Sequence, residues 1–329
     1  MSVSYLVVVF SAISTGLSQH PLGLSFLVWF SLIPLIINLD KTNNLKEIAL
    51  IGFVWGFVYN LTSIYWLAFN IGTTFPLGVI SMLGSVIYLS IFFILICLLY
   101  GFLKRHFRFY PYYLFPFIWV SIEYLLSLGS LGFPWISLAN TQTSFLILVQ
   151  NSEFTGIYGV SFWIVLLNVF GYKWWKNKGK KMAFNWLVLF LFPWITGLLI
   201  LPSYKLDKEK FNEKINVLIV QPNVHLSDKR KVGYVKENMK NLVDISSRNL
   251  KEKTNLIVWP ETSTISYLFQ NGESYLKYIR SNLLKENTSL LTGLPFYKKD
   301  SDNSFLFYNS IAHIEKNSQN ENIYHKLHL

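Results

Sequence analysis

Few residues in this chain combine a telling position with a usable functional group. The sharpest is Glu261, in Trp259-Pro260-Glu261-Thr262. It follows the apolar run Leu256-Ile257-Val258-Trp259, which reads as a short strand closed by Pro260. The end of a strand in an open α/β sheet is where such sheets usually bind ligands. Beside a Trp and a Pro the carboxylate is expected to be partly desolvated, with its pKa raised toward that of a general base. The plain alternative is a helix N-cap or a surface acid. Lys326 is the second candidate, flanked by His325 and His328. On its own it is one of nineteen basic residues beyond residue 203. A metal centre would need a third ligand, and no HExxH or Cys/His cluster occurs, so neither a metal nor a cofactor is expected.

Two further residues sit in apolar surroundings. Cys97 is the only cysteine, which excludes a disulfide within the chain. It falls late in an apolar run, where a thiol is inert, so a buried core cysteine is the expected role. Glu123 is an acid inside another apolar run. Intramembrane acids are costly and usually either functional or paired; here a bundle hydrogen bond to Asn140 or Gln142 stands beside a functional role. Trp55, Trp119 and Trp163, with Trp66 and Trp135, fit bundle packing or an interfacial belt better than a cofactor box. The uncharged loop Leu131-Gly132-Phe133-Pro134-Trp135 is either a lipid-facing lip of a site or an ordinary interfacial loop.

The elements that must position these residues fall into two regimes. Of 329 residues 52% are hydrophobic and only 14% charged, against about 25% charged in an ordinary soluble domain. Residues 1–203 hold ten Lys/Arg and four Asp/Glu; the rest of the chain holds nineteen and fourteen. Apolar runs occur at 3–19, 22–38, 48–69, 76–103, 112–128, 154–171 and 183–201. Each is near the ~20 residues that cross a ~30 Å hydrocarbon core as a helix. The expectation is about seven spans, the first two forming a helical hairpin. The first run lacks a basic leader and more runs follow at once, which argues against a cleaved signal peptide.

Loops 39–47, 104–111 and 172–182 carry all ten cations of this region: Lys41, Lys46, Lys104, Arg105, Arg108, Lys173, Lys176, Lys178, Lys180 and Lys181. Loops 19–22, 70–75 and 129–153 carry none. The positive-inside rule then places the N-terminus in the cytoplasm and residues 204–329 on the opposite side. The same pattern accounts for most of the net charge of +11 without nucleic acid, for which no motif is present.

Residues 204–329 alternate short apolar runs with helical periodicity. Ile215–Val220 stops at the turn Gln221-Pro222-Asn223. Val232, Val235, Met239, Leu242, Val243 and Leu250 recur at helical spacing. A helix over 273–287 and strands at Leu290–Gly293 and Phe305–Ile314 follow. Strands that are apolar without alternation suggest burial on both faces, as in a layered α/β domain. About 126 residues that stop inside the patterned segment Tyr324–Leu329 look like part of such a domain.

Read together, these segments resemble the bacterial apolipoprotein N-acyltransferase family. The resemblance rests on Gly132-Phe133-Pro134-Trp135, Gly156-Ile157-Tyr158-Gly159-Val160-Ser161-Phe162, Val220-Gln221-Pro222-Asn223, Trp259-Pro260-Glu261-Thr262, Thr292-Gly293, Tyr308-Asn309-Ser310 and Tyr324-His325-Lys326-Leu327-His328-Leu329. It implies a polytopic helical membrane bundle over residues 1–203. Residues 204–329 are then the first half of an extracytoplasmic nitrilase-type (carbon-nitrogen hydrolase) α-β-β-α sandwich, in a bacterial inner membrane with the catalytic domain periplasmic. It also implies a Glu–Lys–Cys triad. Glu261 matches the general base and Lys326 the lysine that stabilises the oxyanion. The cysteine nucleophile, and a final membrane span, are expected beyond Leu329, so these 329 residues alone are expected to be inactive. The Lys-Trp pair common after the family's first strand is replaced here by Lys229-Arg230.

The implied reaction is a two-step acyl transfer. A phospholipid, phosphatidylethanolamine by the resemblance, acylates the cysteine, and the α-amino group of a diacylglyceryl-cysteine lipoprotein takes the chain. Two other readings compete. A membrane-tethered nitrilase-type amidase predicts the same Glu261 and Lys326 but no need for an elaborate lipid-facing bundle. A transporter-like protein predicts charged or broken helices lining a path at the midplane, for which only Glu123 qualifies.

Overall fold

The computed structural model describes residues 3–19, 21–107, 111–201, 214–224, 233–261, 263–300, 302–317 and 322–327. Arg108, Pro202, Lys229-Arg230, Val232, Thr262, His328 and Leu329 lie outside the described residues. The chain divides into two compact units, Met1–Leu206 and Asp207–Leu329.

The first unit is helical: α1 (Tyr5–Leu17), α2 (Val28–Ser31), α3 (Ile33–Lys41), α4 (Leu45–Ile64), α5 (Phe75–His106), α6 (Pro111–Leu126), α7 (Leu146–Val149), α8 (Ser152–Asn177) and α9 (Lys180–Ile200), with short 3-10 turns between several of them. Among the described residues four helices are long and apolar enough to cross a membrane: α4 with the turn that extends it to Phe69, α5, α8 and α9. The other three expected spans are shorter. The thirteen residues of α1 rise only about 20 Å. Helix α6 has sixteen residues with Pro116 inside. The second apolar run breaks at Leu32 into α2 and α3.

That break is repaired from a distance. The freed amide of Leu32 donates to Asn168 Oδ1 at 3.0 Å, and Asn168 Nδ2 donates to Val28 O at 2.8 Å. A carboxamide on α8 therefore supplies the donor and acceptor that the interrupted helix lacks, as backbone out of reach of water requires. Helices α4 and α5 pack through small residues. A Cβ on Gly52 would lie 2.7 Å from the carbonyl oxygen of Phe93, and one on Gly56 2.8 Å from the Phe93 Cβ, the close approach that small residues allow in membranes. Trp55, Tyr59, Phe93 and Trp119 stack at the centre of the bundle. Ile80, Leu83, Ile87, Ile91, Leu95, Leu99 and Phe102 form an exposed stripe along α5 at helical spacing, a lipid-facing surface.

The second unit is a five-stranded mixed sheet in the order β1-β2-β3-β4-β5, from β1 (Val217–Ile219), β2 (Leu256–Val258), β3 (Ser289–Lys299), β4 (Phe305–Ile314) and β5 (Asn322–His325), with α10 (Tyr234–Asn249) and α11 (Glu273–Leu283). Strands β1, β2 and β3 are parallel, joined through α10 and α11; β3, β4 and β5 are antiparallel. Side chains alternate between the faces. Ile257, Leu290, Leu294, Ala312 and Ile314 are fully buried in one core with Met239, Leu242 and Val243 of α10 and Ile279 and Leu283 of α11. The other face is apolar but open among the described residues: Ile219 is 75% exposed, Ile311 45% and Tyr324 61%. Strand β1 therefore differs from the two-sided burial expected of it.

Candidate functional site

Glu261 lies just past β2, where the parallel strands end. The Trp259 amide continues the ladder to Leu291 O at 2.9 Å, and its indole points to the helical side, donating to Ser246 Oγ on α10 at 2.9 Å. Beyond Glu261 the turn is tied down again. Asn238 Nδ2 donates to Ser263 O at 2.6 Å, and Thr264 Oγ1 to Gly293 O at 3.1 Å. The chain is thus fixed on both sides of the carboxylate by groups that a strand-to-loop junction would otherwise leave unpaired.

Lys326 reaches the same place from β5. Its amide donates to Asn309 O at 2.9 Å, one step beyond the Ser310–His325 pair of the β4–β5 ladder. Its Nζ stands 3.6 Å from Glu261 Oε1, and Asn309 Nδ2 donates to that oxygen at 2.5 Å. Carboxylate and amine, from just past the ends of β2 and β5, meet a carboxamide from the middle of β4 on the open face of the sheet, in a cleft of about 470 Å³ with Trp259, Leu291 and Tyr324 in its lining. The Lys326 side chain is 52% exposed and that of Glu261 64%. Glu261 is therefore not desolvated by the described residues, unlike the expectation for it. An ion pair this open is held by the strand ends rather than by its own energy, since exposed pairs contribute ~0–1 kcal/mol.

His325 does not join them. Its Nδ1 is 2.8 Å from Ser310 Oγ, and its ring stacks on Tyr308 at 4.4 Å, on the opposite face from its neighbour Lys326. Among the described residues no group of three or more His, Cys, Asp or Glu could hold a metal ion. Asn309 went unsingled in the sequence as a site residue, although Tyr308-Asn309-Ser310 was a visible motif. Asn238, which fixes the turn after Glu261, carried no signal beyond its place on an amphipathic helix.

The candidates in the membrane unit have other roles. Glu123 is held by three donors: Trp119 Nε1 and the Leu138 amide reach Oε1 at 3.0 and 2.9 Å, and Ser137 Oγ reaches Oε2 at 3.0 Å. Asn140 and Gln142 are not its partners; Asn140 donates to Pro134 O and Trp135 O, and Gln142 accepts from Trp29. Glu123 thus ties the 3-10 turns that follow Phe133 to α6. Cys97 is buried on α5, facing Gly52 of α4. Trp55, Trp119 and Trp163 are buried in the bundle, whereas Trp66 and Trp135 are exposed and meet edge to face at 6.5 Å.

Comparison with known proteins places both units. Residues 11–170 match the apolipoprotein N-acyltransferase N-terminal domain, and residues 203–329 match the carbon-nitrogen hydrolase domain. A curated apolipoprotein N-acyltransferase of Geobacter metallireducens is 28% identical over 309 residues, covering 91% of this chain and 58% of its own length. That of Chlorobaculum tepidum is 25% identical over 297 residues, with 85% and 54% covered. That of Rickettsia bellii is 25% identical over 321 residues, with 93% and 62% covered. The chain spans a little over half the length of these relatives.

Proposed function

We infer the function from the family of this chain: it belongs to the apolipoprotein N-acyltransferases, carrying their N-terminal membrane domain and a carbon-nitrogen hydrolase domain. The reaction is N-acylation of the amino terminus of a diacylglyceryl-cysteine lipoprotein, with a bilayer phospholipid, phosphatidylethanolamine in this reading, as donor. The observation that carries it is the convergence of Glu261, Lys326 and Asn309 on the open face of the hydrolase unit's sheet, in a chain whose other unit is built for lipid.

The chemistry divides into two steps. Glu261 takes the proton of a cysteine thiol as the sulfur attacks the donor ester carbonyl. The Lys326 ammonium stabilises the tetrahedral oxyanion. The lysophospholipid alkoxide leaves with that proton, and a thioester remains. The lipoprotein amine then attacks the thioester and gives up a proton to Glu261. The thiolate leaves and is reprotonated, and an amide has formed. Asn309, donating to Glu261 Oε1, directs the other oxygen toward the thiol. Cys97, buried in α5, does not fit this role, so the nucleophile is a thiol outside these 329 residues. The membrane unit crosses the bilayer seven times in this reading, with α1, the broken α2–α3 pair and α6 packing as spans, and sets the hydrolase unit on the periplasmic face of the inner membrane.

The test uses protein expressed from its complete reading frame and reconstituted in phosphatidylethanolamine vesicles labelled in the acyl chains. With a diacylglyceryl-cysteine peptide added, label should move to the peptide as an amide. Hydrolysis of a small soluble amide with no label on the peptide would replace this reading with the tethered amidase.

A further inference from the structure

The membrane unit contains a second cavity, distant in sequence from the strand-end cleft and different in chemistry. It is a groove of about 250 Å³ between α8 and α9, flanked at one end by Leu148 of α7 and lined by Val160, Phe162, Trp163, Leu166 and Leu189 among others. Its walls are built, not left over from loose packing. Helix α8 kinks at Gly156, whose φ of 63° is left-handed. The next turns present Gly159 and Val160 to the groove. Helix α9 is pinned at two levels. Gly197 lies so close to Ile147 of α7 that no side chain fits between them. Further down, Trp163 Nε1 donates to Leu189 O at 2.8 Å. Between these levels Asn151 bridges the helices at the mouth, donating to Pro193 O at 2.8 Å and accepting from Thr196 Oγ1 at 2.6 Å.

The groove has a direction. The basic α8–α9 turn, with Lys178, Lys180 and Lys181, lies at the far end of both helices. From Gly159 to Leu166, below the kink, the lining descends about 11 Å along α8, a third of a ~30 Å hydrocarbon core. It is apolar throughout its depth and polar only at the mouth, where Asn151 and Thr155 stand. It is also continuous with the exposed surface of α9, where Leu191, Phe192, Ile195 and Leu199 face outward. Water is unfavourable in such a space, and a neighbouring lipid reaches it without leaving the bilayer.

We propose that this groove holds one acyl chain of a phospholipid from the leaflet opposite the basic turn, its headgroup at the Asn151 and Thr155 mouth. The site does not depend on the acyl-transfer reading. A seated chain packs the space between α8 and α9 that the two helices leave unfilled, and gives this face of the bundle a resident lipid.

The experiment uses vesicles of phosphatidylethanolamine containing a trace of phospholipid with an ether-linked chain that carries a diazirine at its midpoint. The ether link cannot donate an acyl group, so the outcome is independent of any acyltransferase activity. After illumination of the reconstituted protein, adducts are mapped by mass spectrometry. They should concentrate several-fold on Phe162, Leu166 and Leu189 relative to the lipid-facing α5 residues Leu83, Ile87 and Ile91. Leu166→Trp should abolish the enrichment by filling the groove, and Phe192→Trp provides a second filler if the first fails to fold. Leu191→Trp, outside the lining, should leave it intact. Adducts no denser than on α5, or enrichment that survives a folded filler variant, would overturn the proposal. Adducts that vanish as the protein-to-lipid ratio rises would assign the groove to a second copy of the chain and overturn it equally.

Discussion

Asn309 is the residue that most changes the picture of the site. Its carboxamide donates to Glu261 Oε1 at 2.5 Å, the same oxygen that Lys326 approaches at 3.6 Å. A carboxylate pinned through one oxygen keeps the other free and aimed, which is what a base needs. Asn309→Ala should therefore lower the rate of acyl-enzyme formation about tenfold to a hundredfold and leave the amount of folded, membrane-inserted protein unchanged. A rate equal to wild type in single-turnover labelling would remove Asn309 from the site. Lys326→Met tests the proposed oxyanion role: loss of such a group should cost about 10²–10³-fold in the chemical step, with phospholipid binding preserved. The position of Glu261 after a strand was legible in Trp259-Pro260-Glu261, because a strand closed by proline announces its own end. Its exposure was not legible, since the residues that cover or leave open a strand end come from elsewhere in the chain.

At the scale of elements, the long apolar runs and the strands were readable where local pattern decides the outcome. Strand β4 begins at Phe305 and ends at Ile314, as its composition indicates, and α5, α8 and α9 follow their apolar runs. The break at Leu32 was not readable: it is stabilised by Asn168, 136 residues away, and no local window contains that carboxamide. Asp40 shows the same kind of long-range tie just past the second apolar run. It accepts from Lys176 at 2.8 Å, Tyr172 at 2.5 Å and Tyr112 at 3.0 Å, joining α3 to α6 and α8. Burial pushes its carboxyl up, but the bonds from Lys176, Tyr172 and Tyr112 pull it further down, so its pKa lies below the ordinary value. A depressed folded-state pKa contributes stability that is full above the unfolded value, about 3.9, and is lost as pH falls through the folded one. The melting temperature of the detergent-solubilised protein should thus be flat with respect to this group from neutral pH to about 5, then fall below about 4. Asp40→Asn should destabilise by roughly 1–3 kcal/mol at neutral pH and flatten the acid limb. A variant with the same melting curve as wild type at pH 7 and at pH 4 would show that the cluster contributes nothing.

The whole molecule combines a lipid-facing bundle with a hydrolase unit whose open sheet face carries the candidate chemistry. In the proposed topology the ten basic residues of loops 39–47, 104–111 and 172–182 mark the cytoplasmic side by the positive-inside rule. Alkaline phosphatase fused after residue 210 should therefore be active and a fusion after residue 176 inactive; the reverse pattern would invert the topology. The most direct measurement concerns where the donor's acyl group is carried. Protein from the complete reading frame is reconstituted with acyl-labelled phospholipid, quenched, and cut between the two units. The account predicts label labile to neutral hydroxylamine on the hydrolase fragment and none on the membrane fragment, with Glu261→Gln reducing that label at least about 10²-fold without loss of membrane insertion. Label on the membrane fragment that disappears with Cys97→Ala would contradict it.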